Sequence, residues 1–215
     1  MSDENGILRN IKKRLKKTDS LVVVANDPND FEDNGKKIKT VAESFDKTGI
    51  KFKHAAILDA RNRGNAEEII RAADLIILSG GKCLVQNRFF KEIDLGRLIK
   101  NYRGVIIGVS AGTMNLCKTV ANFPEEESDL QDPRWFDGLG FFDGIIIPHF
   151  DGETLTYQLD CGEMNVVSDY ILPMSKEKEF IGLSNDAYII VDNDGKTSYF
   201  GDIYKIVDEA VARYK

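Results

Sequence analysis

Short apolar runs, each followed by a segment with helical spacing, recur in the first half of the chain and constrain its fold more than any other feature. Four of these runs are LVVVAND at 21–27, FKHAAILD at 52–59, LIILSGG at 75–81 and GVIIGVS at 104–110. Runs that are apolar at nearly every position are typical of parallel strands, because both faces of a parallel sheet are buried. With right-handed crossovers, the pattern predicts an α/β fold with three layers, α/β/α, around a mostly parallel central sheet.

The segments between these runs have the periodicity of helices. Apolar residues of the segment 36–49 recur at spacings of three and four, and the segment ends at Gly49. The segment 65–74 predicts a second helix capped by Asn65, and residues 84–101 predict a third. Another helix is expected to begin abruptly after GVIIGVS, at residue 111.

The second half of the chain is less regular. Residues 122–138 predict a long polar loop, GIIIPHFD at 144–151 predicts a strand, and residues 153–172 predict a helix. The final apolar segments predict strands, with DNDG at 192–195 forming the turn of a C-terminal β-hairpin. Since no composition shift marks a boundary, we expect residues 1–215 to form a single α/β domain.

Charge and cysteine content narrow the class of protein. The net charge of −6 argues against sequence-independent nucleic-acid binding, and no apolar run is long enough to cross a membrane. The first residues lack the apolar core of a signal peptide. The chain has three cysteines, without a CxxC pair, which is typical of a protein in a reducing compartment. This number and spacing predict neither a disulfide framework nor a zinc site. We therefore expect a cytoplasmic protein with no nucleic-acid, membrane or metal partner.

The sequence GVSAG at 108–112 places a serine between two glycines where a strand meets a helix. A G-x-S-x-G turn of this kind is tight and strained, and it exposes the serine oxygen at the carboxyl edge of the sheet. The pattern predicts Ser110 as a nucleophile, with the amide of Ala111 placed to bind an oxyanion. The alternative is a tight turn without chemical function.

A serine nucleophile needs a general base, and the chain contains two histidines. His54 lies within a predicted strand and is expected to be structural. His149 follows the apolar run of GIIIPHFD, so it is predicted at the carboxyl edge of the sheet, as Ser110 is. This shared edge favours His149 as the base, although a lone histidine after an apolar run is often structural.

Glycines at 80 and 81 end the strand that precedes the serine strand. Because glycine allows close backbone approach, either amide could supply the second oxyanion donor, and Gly81 is our prediction. A simple turn is the alternative. The segment lacks the spacing of a phosphate-binding P-loop, and GLGFFDG at 138–144 precedes a strand, so neither predicts a nucleotide site.

Together, the strand ending in Gly-Gly, the G-x-S-A-G turn and Pro148-His149 resemble the peptidase E (aspartyl dipeptidase) and cyanophycinase family of serine peptidases, over residues 20 to 205. The resemblance implies a flavodoxin-like, class I glutamine amidotransferase-like fold with serine in place of the elbow cysteine. It implies a Ser-His-acid hydrolase of short peptides without a metal or other cofactor, and dipeptidases of the family cleave after an N-terminal aspartate. Ser110 and His149 match the nucleophile and base, while Gly81 and Ala111 match the oxyanion donors.

Two departures from the family pattern concern the site. The glycine loop commonly continues Asn-Thr, whereas this chain has Lys82 and Cys83. Gly80 and Lys82 are our candidates for substrate binding, and the cation that a pocket for aspartate needs could be Lys82, Arg88 or Arg134. The third triad position, usually glutamate, coincides with Asn185, and Asp186 follows one residue later. Either side chain could orient His149, and an asparagine would stabilise the imidazolium less than a carboxylate.

These observations predict a serine-type exopeptidase or dipeptidase that hydrolyses short peptides, possible substrates being those with an N-terminal aspartate. One alternative is a catalytically weak or inactive relative that binds a small peptide or acyl ligand. The other is an amide or ester hydrolase of different specificity on the same scaffold.

Overall fold

The computed structural model of the protein describes residues 5–151, the backbone of 156–159, and residues 162–214. The chain divides into two compact units, Met1–Thr113 and Met114–Lys215. None of the helices in the described residues is long and apolar enough to span a membrane. That residues 1–215 act as one domain stays a prediction.

The first unit is built on a four-stranded sheet. Its strands are β1 (Ser20–Val24), β2 (His54–Leu58), β3 (Leu75–Leu78) and β4 (Val105–Gly108). The order is β2-β1-β3-β4, and every neighbouring pair is parallel. The four apolar runs therefore form the four parallel strands expected, and the α/β, flavodoxin-like fold class is confirmed.

Helices connect these strands. They are α1 (Ile7–Arg14), α2 (Phe31–Lys47), α3 (Ala66–Ala72), α4 (Cys83–Glu92), α5 (Leu95–Ile99) and α6 (Ala111–Leu116). The helix expected over 84–101 is divided in two, because Asp94 adopts a left-handed conformation with φ 52°. Asn65 stands at the start of α3 as expected, but its side chain makes no capping hydrogen bond.

Both faces of the two central strands, β1 and β3, are buried, which explains their continuous apolar runs, whereas the edge strand β2 is exposed over residues 54–56. Leu21 and Val23 of β1 pack in one cluster with Ile11 of α1 and Phe45 of α2. Successive side chains of a strand point to opposite faces, so Val22 and Val24 face away from that cluster. They are also buried, so the second face is covered as well.

The two strands that follow β1 in the chain lie on opposite sides of it in the sheet. β2 pairs with β1 on one side, and β3 pairs with β1 on the other. In open α/β sheets, ligands bind beyond the carboxyl ends of the strands at such a switch point. Here the segments that follow these ends contain Asn26 after β1 and Gly80 after β3.

The described residues of the second unit contain short strands and, besides a 3₁₀ turn described below, two short helical segments. In chain order they are β5 (Thr119–Ala121), β6 (Trp135–Asp137), β7 (Ile146–Ile147), β8 (Thr156–Leu159), β9 (Gly162–Asn165), a π-helical turn (Val167–Ile171), α7 (Leu172–Met174), β10 (Phe180–Leu183), β11 (Tyr188–Val191), β12 (Thr197–Phe200), β13 (Ile203–Val207) and β14 (Ala210–Arg213). One sheet has the order β14-β13-β10-β7, in which β7 and β10 are parallel and the other pairs are antiparallel.

Three expectations for this unit can be compared with the structure. The hairpin at DNDG is confirmed, since β11 and β12 pair antiparallel on either side of it. The helix expected over 153–172 is wrong over 156–159 and 162–165, where β8 and β9 pair antiparallel and Gly162 has φ 136°, which a helix cannot include. It is confirmed over 167–172, which form the π-helical turn and the first residue of α7. The loop over 122–138 also contains a 3₁₀ turn, Glu127–Gln131, and ends in β6, which pairs with β5.

Candidate functional site

Ser110 lies in a strained turn that joins β4 to α6. The sheet pairing continues past β4, since the Val109 amide donates to the Leu78 carbonyl at 3.0 Å. Ser110 itself has φ 51°, in the left-handed region. A non-glycine residue in this region costs about 1–3 kcal/mol and persists only where the surroundings hold it. The conformation is the one expected of a nucleophile elbow.

The two glycines of GVSAG are required by close approach of the helix to the strands. A Cβ atom at Gly108 would lie 2.7 Å from the carbonyl carbon of Gly112 and from the Cα of Thr113. A Cβ atom at Gly112 would collide with the carbonyl oxygen of Leu78 in β3. Neither position can hold a side chain unless the backbone moves, so the glycine spacing read from the sequence has a direct steric cause.

Hydrogen bonds from Thr113 close the turn around Ser110. The Thr113 hydroxyl donates to the Gly108 carbonyl at 2.7 Å, and its amide donates to the Ser110 carbonyl at 2.9 Å. Ser110 is half-buried, whereas the next residue, Ala111, is fully buried. The first amides of a helix have no partner within the helix, so the Ala111 amide is suited to bind an oxyanion.

The backbone of Gly80 lies against Ser110. A Cβ atom at Gly80 would stand 3.1 Å from the Ser110 Cβ and 3.8 Å from its Oγ. The glycine loop therefore approaches the serine as closely as the sequence predicted. Gly81, our predicted oxyanion donor, has φ 140°, a conformation that favours glycine.

Asn26 is a residue of this site that the sequence did not identify. Its side chain is buried, with 6% of the residue exposed, and its Nδ2 donates to the Lys82 carbonyl at 2.9 Å. A Cβ atom at Gly81 would collide with its Oδ1. The amide of Asn26 thus packs against one residue of the glycine loop and is hydrogen-bonded to the next. A polar residue directly after the buried strand β1 was the signal that could have revealed it.

Lys82 and Cys83, where the glycine loop departs from the family pattern, lie at the start of α4. Lys82 is the residue before the first turn, and its carbonyl accepts the bond from Asn26. The Cys83 thiol is buried and lies 3.8 Å from the Ala111 carbonyl, within hydrogen-bonding range for sulfur. Cys83 therefore packs against the serine turn, and Lys82 belongs to the loop that faces it.

His149 belongs to the second unit, two residues beyond β7. It has φ 60°, which is left-handed, as at Ser110. The next residue, Phe150, donates from its amide to the Leu183 carbonyl at 2.9 Å, and its ring fills the space left by Gly182. Because β7 and β10 are parallel neighbours, residues that follow the two strands meet at one edge. The histidine side chain is exposed at that edge.

Asn185 is the side chain hydrogen-bonded to His149 at this edge. The distance between His149 Nδ1 and Asn185 Oδ1 is 2.6 Å. An amide oxygen only accepts, so Nδ1 carries the proton and Nε2 carries the lone pair of the neutral ring. This is the tautomer that a general base requires.

Asp186 occupies a different position in the same turn. The Ala187 amide donates to the Ser184 carbonyl at 3.0 Å, which makes Asn185 and Asp186 the two central residues of a β-turn. Both are exposed. The sequence left the choice between them open because it placed this position in a strand, whereas the position belongs to the turn after β10.

The other candidate groups are less suited to catalysis. His54 opens β2 instead of lying within it, and it is exposed. Burial raises the pKa of the Cys117 thiol to about 12, so that thiol is not a nucleophile at neutral pH. Among the described residues, no three histidine, cysteine or acidic side chains are grouped as metal ligands.

Comparisons with known proteins agree on one family. The family model described as peptidase family S51 matches residues 3–199. A solved structure of a candidate peptidase E protein from Listeria monocytogenes EGD-e is similar in fold, with a TM-score of 0.60 and 14% sequence identity. The similarity covers 89% of this chain and 91% of that one. No curated protein sequence matches significantly.

Proposed function

The chain belongs to peptidase family S51 and is a serine peptidase, and from this premise we propose that it hydrolyses short peptides with Ser110 as the nucleophile. One observation carries the proposal: Ser110 stands in a left-handed turn whose flanking glycines cannot be replaced without collision. A strained, glycine-flanked serine between a strand and a helix is the arrangement that exposes a nucleophilic oxygen. We further propose that residues 1–215 form a single hydrolytic domain.

His149 is the proposed general base. Its Nε2 takes the proton of the Ser110 hydroxyl as Oγ attacks the scissile carbonyl, and then gives that proton to the leaving amine. Water completes the cycle by the same proton transfers, releasing the acid product. The tautomer with Nδ1 protonated, held by Asn185, supports this role.

The proposed oxyanion hole consists of the amides of Ala111 and Gly81. Their donors would bind the negative oxygen that develops when Ser110 attacks, and each such donor typically contributes a factor of about 10²–10³ in kcat. The packing of Asn26 on Gly81 and its bond to Lys82 support a loop held in one conformation. Gly80, against Ser110, and Lys82 are the proposed contacts of the substrate.

Asn185 is the proposed third member of the catalytic group. It fixes the tautomer of His149, but its neutral amide stabilises an imidazolium less than a carboxylate does. This observation favours a second candidate function, that of a slow peptidase whose main activity is to bind a small peptide or acyl ligand. The two functions differ in rate and share one site.

Specificity for an N-terminal aspartate is proposed from the resemblance to aspartyl dipeptidases. The Lys82 ammonium, in the loop that faces Ser110, would attract the β-carboxylate of such a residue. The third possibility, an amide or ester hydrolase of other specificity, would use the same nucleophile on a different acyl group.

The test is hydrolysis of a panel of Asp-X, Glu-X and Ala-X dipeptides by the purified chain. We expect Asp-X to be cleaved fastest, Ser110→Ala and His149→Ala to abolish cleavage, and His54→Ala, the matched histidine control, to leave it unchanged. Equal cleavage by Ser110→Ala would refute the assignment of the nucleophile. Slow labelling of Ser110 by a fluorophosphonate, together with a rise in Tm on adding Asp-X, would instead support the ligand-binding function.

A further inference from the structure

A groove of about 730 Å³ lies in the first unit at the amino edge of the parallel sheet. Its wall includes Lys17 ahead of β1, Asp74 ahead of β3 and Gly104 ahead of β4. Ser110 follows β4, so the groove and the serine turn lie at opposite edges of the same sheet. The volume is within the range of sites for small organic ligands, roughly 300–1,000 Å³.

The groove is strongly basic although the protein is acidic. Six cationic side chains line it: Arg14, Lys16, Lys17, Arg71, Arg97 and Arg103. Two carboxylates, Glu67 and Asp74, lie in the same lining, and a third, Asp94, pairs with Arg97 at 2.6 Å, which leaves a local charge of +3 in a chain whose net charge is −6. A concave site lined by one sign of charge concentrates ligands of the opposite sign.

Part of this charge is held in a fixed arrangement. Glu67 forms ion pairs with Arg71 at 2.5 Å and with Arg97 at 3.5 Å, so one carboxylate positions two guanidinium groups. The other carboxylate of the lining, Asp74, accepts hydrogen bonds from the amides of Asp19 and Ser20. Both acidic side chains therefore have structural partners.

Other cations of the groove are available to a ligand. Lys16, Lys17 and Arg103 are exposed, and none of them forms an ion pair with any residue in the described part of the chain. Side chains that are left unpaired beside a concave surface can bind an anion without first breaking an existing salt bridge. Four of the six cations are arginines, whose planar fork binds phosphate and carboxylate oxygens in pairs.

Tyr102 and Gly104 form a closely packed, uncharged part of the lining. The Tyr102 hydroxyl donates to the Ala73 carbonyl at 3.0 Å, and a Cβ atom at Gly104 would collide with that hydroxyl. Burial and the nearby Asp74 raise the pKa of the Tyr102 phenol, so this side chain stays neutral and does not repel an anion.

We propose that this basic groove binds a small polyanion, a molecule with several phosphate or carboxylate groups, at a site separate from the serine turn. Because it lies at the amino edge of the sheet, opposite the serine turn, it would act as a regulatory site and not as part of the peptide site. Nucleic acid is disfavoured as the ligand, because the chain as a whole is acidic.

Isothermal titration calorimetry of the full chain tests the proposal, with sodium tripolyphosphate and citrate as probes at constant ionic strength. We expect saturable binding of at least one probe, weakened at least tenfold in the double variant Lys16→Ala, Arg103→Ala. Tighter binding of tripolyphosphate would assign the site to phosphates, and tighter binding of citrate would assign it to polycarboxylates. The matched control, Lys39→Ala with Lys51→Ala, removes two exposed lysines elsewhere and should retain wild-type affinity.

Three results would overturn the proposal. The first is the absence of saturable heat with both probes. The second is equal weakening in the groove and control variants, which would indicate a general charge effect. The third is loss of binding in Ser110→Ala, which would place the anion at the serine turn. None of these readouts requires peptidase activity, so the result is independent of the proposed function.

Discussion

The side chains of His149 and Asn185 are joined by a hydrogen bond of 2.6 Å between Nδ1 and Oδ1. The bond connects residues that follow two parallel neighbouring strands, β7 and β10. It gives the ring its base-competent tautomer through a neutral acceptor, in the position where the related enzymes usually have a glutamate.

Asn185→Asp should raise kcat at least tenfold, because a carboxylate stabilises the imidazolium that forms when His149 takes the proton. The measurement is the kcat of both proteins on one dipeptide at one pH. An unchanged or lower kcat in Asn185→Asp would contradict the prediction.

Asp186→Asn separates the two candidate partners of His149. If Asn185 orients the ring, this variant leaves kcat unchanged, because Asp186 does not contact His149 through the bond that Asn185 makes. A fall in kcat in Asp186→Asn, with no effect of Asn185→Asp, would contradict the assignment of Asn185.

Gly112→Ala should destabilise the protein by about 2 kcal/mol or more, because the added Cβ collides with the Leu78 carbonyl and must displace backbone. The control is Gly35→Ala, within α2, where nothing lies within 4 Å of the added atom. Alanine in a helix interior is favoured over glycine by roughly 0.5–1 kcal/mol. In urea unfolding, we therefore expect Gly112→Ala to lower the free energy of unfolding and Gly35→Ala to raise it. Equal changes in the two variants would refute the steric argument.

Asn26→Ala should lower kcat more than it raises KM, because it releases the glycine loop without removing a substrate contact. Loss of its buried bond to Lys82 should also cost about 1–3 kcal/mol of unfolding free energy. Asn29→Ala, an exposed asparagine in the segment after β1, is the control and should leave both kinetics and stability unchanged. If Asn26→Ala raised KM and left kcat unchanged, Asn26 would instead be a substrate-binding residue.

Ionisation of the Cys117 thiol should lower the free energy of unfolding in alkaline solution. Its folded pKa is raised to about 12 by burial, from an ordinary value of 9.0, so the unfolded chain loses this proton first. The contribution to stability is complete below pH 9 and is lost as the pH rises from 9 towards 12. Between pH 8 and 10.5, the free energy of unfolding should fall by about 2 kcal/mol less in Cys117→Ala than in the wild-type protein.

Unfolding under reducing conditions at several pH values measures this difference. Comparing slopes, and not absolute stabilities, removes the cost of the small cavity that the alanine leaves. Parallel slopes for the two proteins would show that the buried thiol does not contribute.

The sequence by itself determined the features that depend on neighbouring residues. Continuous apolar runs specified the four parallel strands, since a strand covered on both faces has no polar side. The glycines around Ser110 specified the elbow, since its crowding arises between a strand and the helix directly after it. The motifs that carry the family resemblance are likewise defined by the spacing of residues close together in the chain.

Tertiary structure decided what depends on residues far apart in the chain. Asn185 rather than Asp186 meets His149 because a turn after β10 directs consecutive side chains differently, and a linear pattern does not encode that direction. Asn26 reaches the glycine loop only because β1 and β3 are neighbours in the sheet, across more than fifty residues of chain. The hairpin of β8 and β9 replaced an expected helix because pairing between strands overrides weak local periodicity.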